Sequence, residues 1–460
     1  MAESTLNGTL SDNEDKGNVF YLYIISLIAC AGGLMFGFDL GVISGALPFI
    51  TEHFGLKVFM QGFTVSVFVI GCIFGAMTAG GLSDRFGRRN ILVCAAFLFT
   101  VSAIFMAIPS TITQLIIARF VCGIAVGTAS VLSPIYIAEI APANIRGKLV
   151  SINQLAIVSG ILITFLTNWL LAGVGPNNWR WMFAVGVIPS FMFFIALMFV
   201  PESPRFLTKQ GKREKALGIL AKISGRKRAE EQMAEIIDTM SKEAGKLSDI
   251  FTPGFRTALI VGIALAVLSQ WCGMATIVYY APTIFMKAGY ESAQSALLAN
   301  VMIGLINFLF TFVAILSVDR FGRKGLLLIG FTGLFISIMT TGFIFQSSVI
   351  GGKIILLPLL FYVAFYCMSV GAVTWVILAE IFPTKIRGTA MSIATMSLWI
   401  ANFILSQLFP WMIETIGGNA FYMFGVVCFI ALLFTWKVIP ETKNKTLEEI
   451  EMMWMEGAEH

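Results

Sequence analysis

Asp84-Arg85-Phe86-Gly87-Arg88-Arg89 returns as Asp319-Arg320-Phe321-Gly322-Arg323-Lys324, and each copy closes one long apolar stretch and opens another. A charged hexapeptide in that setting, once per half of the chain, is the mark of a duplicated membrane protein. Two more pairs repeat at nearly the same separation. Glu139-Ile140-Ala141-Pro142 with Ile145-Arg146-Gly147 recurs as Glu380-Ile381-Phe382-Pro383 with Ile386-Arg387-Gly388, and Pro201-Glu202-Ser203 recurs as Pro440-Glu441-Thr442.

The surrounding residues agree with a chain that faces lipid. Hydrophobic residues make up 57% and charged ones only 12%, with 41 Phe, a balance that a water-exposed surface of this size does not support. A bilayer core requires about 20 apolar residues per helix. Such runs lie at 19–50, 61–82, 91–108, 113–140, 149–171 and 181–200, then at 255–286, 293–318, 326–345, 354–381, 391–411 and 419–439. The expected fold is therefore an all-α membrane protein of twelve transmembrane helices in two six-helix bundles, 19–200 and 255–439. A helical cytoplasmic linker at 201–254 joins them, and tails at 1–18 and 440–460 flank them. Parallel halves related by an axis along the membrane normal place a substrate site between them, near mid-membrane.

Orientation follows from the basic residues, which concentrate in cytoplasmic loops. Of 31 Lys and Arg, only Lys57, Arg180, Lys287 and Lys353 fall in loops after odd-numbered runs, and Arg119 falls inside one. Both termini are expected in the cytoplasm of a multi-pass protein of a bacterial inner membrane. The net charge of +5 reflects this asymmetry and gives no reason to expect a nucleic-acid partner. The seven cysteines stand singly, without a CxxC pair or histidines at metal spacing, so neither a disulfide framework nor a zinc site is indicated. The first residues are polar and mildly acidic, unlike a signal peptide. Asn7-Gly8-Thr9 fits a glycosylation sequon, but in a tail expected inside. In the linker, Ala216, Leu217, Leu220 and Ile223 have the spacing of a short amphipathic helix on the cytoplasmic surface.

Ionisable groups inside a membrane are rare and costly, so Asp39 in the first run and Arg119 in the fourth stand out. A bare carboxylate in low dielectric takes up a proton, and a guanidinium nearby favours its release. Such a pair either switches or pins two helices together. Asp84, Arg85, Arg88, Arg89, Glu139 and Arg146, with Asp319, Arg320, Arg323, Glu380 and Arg387, lie at helix ends on one face. Positive-inside anchoring explains their basic members but not the carboxylates. A latch of bidentate pairs holding the halves together explains both. A neutral polyhydroxyl ligand needs amides and flat apolar faces rather than charge. Gln154, Gln270, Tyr279, Tyr280, Asn307, Trp375 and Trp399 are residues of that kind, although each is equally suited to hydrogen bonding or packing between helices. No nucleophile with a base and no metal cluster points to catalysis, so neither an enzyme nor a cofactor is expected.

Taken together, Gly32-Gly33-Leu34-Met35-Phe36-Gly37-Phe38-Asp39-Leu40-Gly41-Val42-Ile43-Ser44-Gly45, the Asp-Arg-Phe-Gly boxes, Pro201-Glu202-Ser203-Pro204-Arg205 and Val278-Tyr279-Tyr280-Ala281-Pro282 resemble the sugar porter family of the major facilitator superfamily over essentially the whole chain. The resemblance is greatest to bacterial proton-coupled monosaccharide symporters. It implies that Asp39 is the proton-linked carboxylate with Arg119 as partner, that Gln154, Gln270, Asn307 and Trp375 contact sugar, that Phe36 flanks it, and that the tyrosines form a gate. Ser269, Ala275, Ala372 and Leu398 depart from the family pattern, which has amides at three of these positions and proline at 372. Fewer amides suit a ligand with fewer or differently placed hydroxyls, such as a deoxy sugar, polyol or cyclitol. The expected function is proton-coupled import by alternating access, with Gly273, Pro282 and Gly371 as bending points. A facilitative uniporter or a non-transporting sensor are the rivals. The expected partners are a small neutral polyhydroxyl solute, the proton and lipid, around a monomer.

Overall fold

A computed structural model of the chain describes residues 17–241, 253–347, 352–382, 387–443, 449, 450 and 453, without the side chains of 143, 144, 239–241, 253, 254, 318 and 319. Twelve helices among the described residues are long and apolar enough to cross a bilayer. They are α1 Val19–Phe54, α2 Val58–Phe86, α3 Arg88–Ala107, α4 Ile112–Ile140, α5 Ala143–Leu171, α6 Asn178–Met198, α7 Phe255–Lys287, α8 Ala293–Phe321, α9 Arg323–Gln346, α10 Lys353–Ile381, α11 Arg387–Thr415 and α12 Asn419–Lys437. Helix is dictated by the solvent, because lipid offers no partner to a backbone N–H or C=O. The ends are marked locally. Asn18 caps α1, a Thr111/Gln114 capping box opens α4, and Gly55 in the left-handed conformation closes α1.

An even number of crossings brings the start of α1, the end of α12, both Asp-Arg-Phe-Gly loops and the linker to one face, here the terminal face. The linker folds there as Pro204–Lys209, Arg213–Ser224 and Arg226–Ser241 around Leu207, Ala216, Leu220, Ala229 and Met233, and Asn18 N–H donates to Lys222 O at 2.9 Å.

Close helix contacts set the site. A Cβ on Gly71 of α2 would overlap the Phe120 carbonyl oxygen, and one on Gly123 of α4 would overlap that of Phe68. Glycine at both positions therefore lets α2 and α4 approach backbone to backbone, which brings Arg119 against α2.

The two halves meet where α2 packs on α11, α5 on α8, and Met274–Lys287 of α7 on α1. The polar contacts between them lie toward the face away from the termini. Asn300 Nδ2 donates to Ser44 Oγ at 3.1 Å, Ser66 Oγ to Gln407 Oε1 at 2.7 Å, and Gln407 Nε2 to Phe59 O at 3.1 Å.

The expected single run at 255–286 is interrupted. The chain is helical over Pro253–Trp271 and again over Met274–Lys287, with Gly273 at φ +102° between them. The break leaves Cys272 O outside the helical ladder, where Tyr362 Oη donates to it at 2.7 Å. In α10 a π-turn, Tyr366–Val370, precedes Gly371, whereas the second part of α7 stays helical across Pro282.

Candidate substrate and proton site

Asp39 and Arg119 both have 0% exposure and face one another from α1 and α4. Arg119 Nη1 lies 3.5 Å from Asp39 Oδ1, and Nη2 lies 3.4 Å from Oδ2. Both distances exceed the roughly 2.8 Å of a tight charge-assisted bond. The guanidinium is held more firmly elsewhere: its Nε donates to Thr64 O of α2 at 2.6 Å, and it sits 5.3 Å from the Phe68 ring centroid. Arg119 is thus anchored to α2 and only loosely paired with Asp39. Cys122 Sγ approaches Asp39 Oδ1 at 3.4 Å. Tyr279 lies within electrostatic reach from the other half, and its hydroxyl has no hydrogen-bond partner among the described residues.

The expected amides and rings are spread over helices of both halves. Phe36 of α1 and Trp399 of α11 lie with ring centroids 5.7 Å apart. Gln154 is exposed on α5, and helical spacing puts it on the same face as Leu162 and Phe165, which touch Gly304 of α8. Asn307 is one turn along α8 from Gly304, buried, and accepts from Cys367 Sγ at 3.2 Å. Trp375 is 40% exposed near the terminal-face end of α10. Gln270, just before the α7 break, accepts from Asn402 Nδ2 at 3.0 Å, and Ser406 Oγ donates to Asn402 Oδ1 at 3.1 Å. Tyr280 is fully enclosed and donates to Ser406 O at 2.7 Å. A chain of hydrogen bonds therefore runs along α11 from Gln270 to Tyr280. Asn402, the middle of it, is one of the functional residues that the expected set lacks; its sequence signal is a polar residue one turn after Trp399. Ser269 does not replace the missing amide, because its hydroxyl is turned back to Ala266 O at 2.7 Å; Leu398 is buried.

On the terminal face the charged groups brace helix ends within each half. Arg88 bonds Asp84 at 2.8 Å and Glu139 at 3.1 Å, and Lys209 of the linker bonds Asp84 at 3.2 Å. Arg323 bonds Glu380 at 3.0 Å. Ser203 donates to Glu139, and Thr442 donates to Glu380 in the matching place. Two carboxylates absent from the expected set complete the braces. Glu202 accepts the backbone N–H groups of Arg88 and Arg89 at the start of α3, and Glu441 accepts those of Arg323 and Lys324 at the start of α9. Burial alone pushes the Glu441 carboxyl up, but the N–H groups of Lys443, Arg323, Lys324 and Thr442 outweigh it and hold it below the usual carboxylate range.

The expected latch between halves takes a different form in this conformation. Among the described residues, every ion pair of this face joins groups of one half or its adjoining linker. The reason is geometric, since the halves touch toward the opposite face. Arg85 and Arg320 lie over the Phe86 and Phe321 rings, Arg146 is exposed without an ion pair among the described residues, and Arg387 Nε donates to Phe382 O at 3.2 Å. Arg89 donates to Leu197 O and Met198 O. The Asp319 side chain, and residues 383–386 of the second Glu-Ile-Phe-Pro motif, lie outside the described ones.

Residues 25–454 match the family described as sugar (and other) transporter. The chain belongs to that family. The arabinose-proton symporter of Bacillus subtilis (strain 168) is 41% identical over 445 residues, covering 95% of each chain. The D-xylose-proton symporter of Escherichia coli (strain K12) is 40% identical over 479 residues, covering 95% of this chain and 96% of its own. Among solved structures, the inward open conformation of the xylose transporter XylE from E. coli is similar with a TM-score of 0.84 at 39% identity, covering 94% of this chain and 100% of its own. The fold of this sugar transporter family member is the major facilitator fold, and the protein is a multi-pass membrane carrier, not an enzyme.

Proposed function

We propose that this protein imports a neutral monosaccharide or related polyol together with a proton, by alternating access. The observation that carries the reading is the Asp39–Arg119 pair: sealed from solvent, long at 3.4–3.5 Å, with its guanidinium tied to α2. An ion pair that served only to pin helices would be expected at closer range, whereas a loose pair lets the carboxylate exchange its arginine contact for a proton. The family, and the symporters for arabinose and xylose within it, support a sugar as the co-transported solute.

Lys and Arg abundance on the terminal face supports placing that face in the cytoplasm. With that orientation the cross-half bonds at Ser44, Ser66 and Gln407 close the outer side, and the space beside Gln154 and Trp375 opens inward. The solute is held between the Gln270–Asn402 amides, Gln154 and Asn307, with Phe36 and Trp399 as its apolar walls. When the halves rock, the terminal-face groups come together and the braces become available as a latch. Of the braces, Lys209–Asp84 is half exposed on both sides, and a pair of that kind contributes at most about 1 kcal/mol, weak enough to break once per cycle.

The test is transport in proteoliposomes with an imposed pH gradient, using sugars and polyols first ranked by thermal shift. Asp39→Asn is expected to keep counterflow and to lose gradient-driven accumulation. Wild-type uptake that ignores the gradient would leave a uniporter, and absence of counterflow in the wild type would leave a sensor.

A further inference from the structure

Asp39 has two kinds of hydrogen-bonding neighbour, and they differ in what they can do. Arg119 has only donors, so it serves the ionised carboxylate and has nothing to offer the proton of the neutral acid. Cys122 is different: a thiol donates weakly and accepts weakly. Its sulfur lies 3.4 Å from Asp39 Oδ1, it is wholly buried, and it is the one side chain hydrogen-bonded to Asp39 among the described residues that can both give and take a hydrogen. Ser102 of α3 is within hydrogen-bonding reach of the sulfur, and its hydroxyl donates to Phe99 O at 2.8 Å and retains a lone pair.

We propose that Cys122 is a positioning residue of the proton site, which donates to ionised Asp39 and turns to accept from protonated Asp39 while its own S–H, its hydrogen still on sulfur, points to Ser102 Oγ as a hydrogen-bond donor. No covalent bond forms at sulfur and no electron moves; only the direction of two hydrogen bonds reverses. The inference rests on the reading of Asp39 as the proton carrier. The thiol thereby couples the charge state of α1 to α3 and α4, and gives the neutral acid a partner that the guanidinium cannot supply. The other titratable groups facing Asp39 are Arg119 on α4, Cys72 on α2 and Tyr279 on α7. Arg119 can only donate, and neither Cys72 nor Tyr279 is hydrogen-bonded to the carboxyl among the described residues, so the role falls to Cys122.

Sugar uptake is measured as a function of pH in proteoliposomes for the wild type, Cys122→Ala, Cys122→Ser and Ser102→Ala, with counterflow at one pH as the check of a folded, sugar-binding carrier. Cys122→Ala is expected to keep counterflow and to shift the proton concentration for half-maximal uptake about three- to tenfold, the size of one hydrogen bond. Cys122→Ser, which still gives and takes a hydrogen, is expected to restore the wild-type profile. Ser102→Ala should shift it in part. Equal shifts in the alanine and serine variants, or none in either, overturn the proposal. If Cys122→Ala fails to fold, Ser102→Ala decides alone, and a wild-type profile there overturns it. Wild-type uptake that does not depend on pH removes the proton-carrier reading itself, and this inference with it; the variants are then uninformative about sugar binding, which counterflow still reports.

Discussion

Asn402 turns Gln270 from a free amide into an oriented one, because an oxygen that already accepts from Asn402 fixes the nitrogen as the donating end, toward Tyr366 and a ligand. Asn402→Ala is therefore expected to raise KM about five- to tenfold, the loss of one oriented hydrogen bond, with kcat changed less. Steady-state uptake of the best substrate measures it. A second residue-scale outcome concerns Glu441. Its folded carboxyl is held below the ordinary value of about 4.3, so its contribution to stability is complete above that pH and is lost as pH falls through the depressed folded value. Thermal unfolding in detergent at falling pH should show a drop that is smaller in Glu441→Gln. At this scale the legible part was the unusual residue: an Asp and an Arg in apolar runs advertise themselves. Asn402, Cys122 and Glu441 were visible in the sequence, but their partners lie on other helices or across a loop, and nothing in residue spacing pairs Cys122 with Asp39.

Elements were readable to the extent that lipid dictates them. Twelve apolar runs became twelve spanning helices, since hydropathy and span length are local properties of the chain. The interruptions were less accessible. A Gly in an apolar run signals tolerance of a break, and both Gly273 and Gly371 sit at irregular turns, whereas Pro282 does not interrupt its helix. At Gly273 the freed carbonyl finds a donor on another helix. Tyr362 comes from α10 to Cys272 O, a meeting that only packing creates. Gly273→Ala is expected to lower the melting temperature, because a left-handed alanine costs about 1–2 kcal/mol and its Cβ would press on the Phe424 ring at 2.8 Å. An unchanged melting temperature would mean that the break moves without cost.

For the molecule as a whole, the decisive feature is where the halves touch. Gln407 ties α11 to α2 by two bonds, with Ser66 Oγ and with Phe59 O, and Gly62 gives its backbone room to approach. Removing a pair of bonds worth about 0.5–1.5 kcal/mol each shifts a two-state equilibrium at least fivefold. In Gln407→Ala the population open on the side away from the termini should rise accordingly, read as longer spin-label distances between the ends of α2 and α11 on that face. Distances identical to those of the wild type would show that the seal lies in apolar packing instead.

The sequence by itself determined the number of spans, the duplicated plan and the resemblance to sugar porters, because each follows from apolar run length, from repeated motifs or from residue type at a matched position. The tertiary structure decided which partners the buried groups have, which half each surface charge braces and on which side the halves are closed. Those are relations between helices far apart in the chain, with several packings open to one pattern of apolar and polar residues, and so they exist only once the helices are assembled.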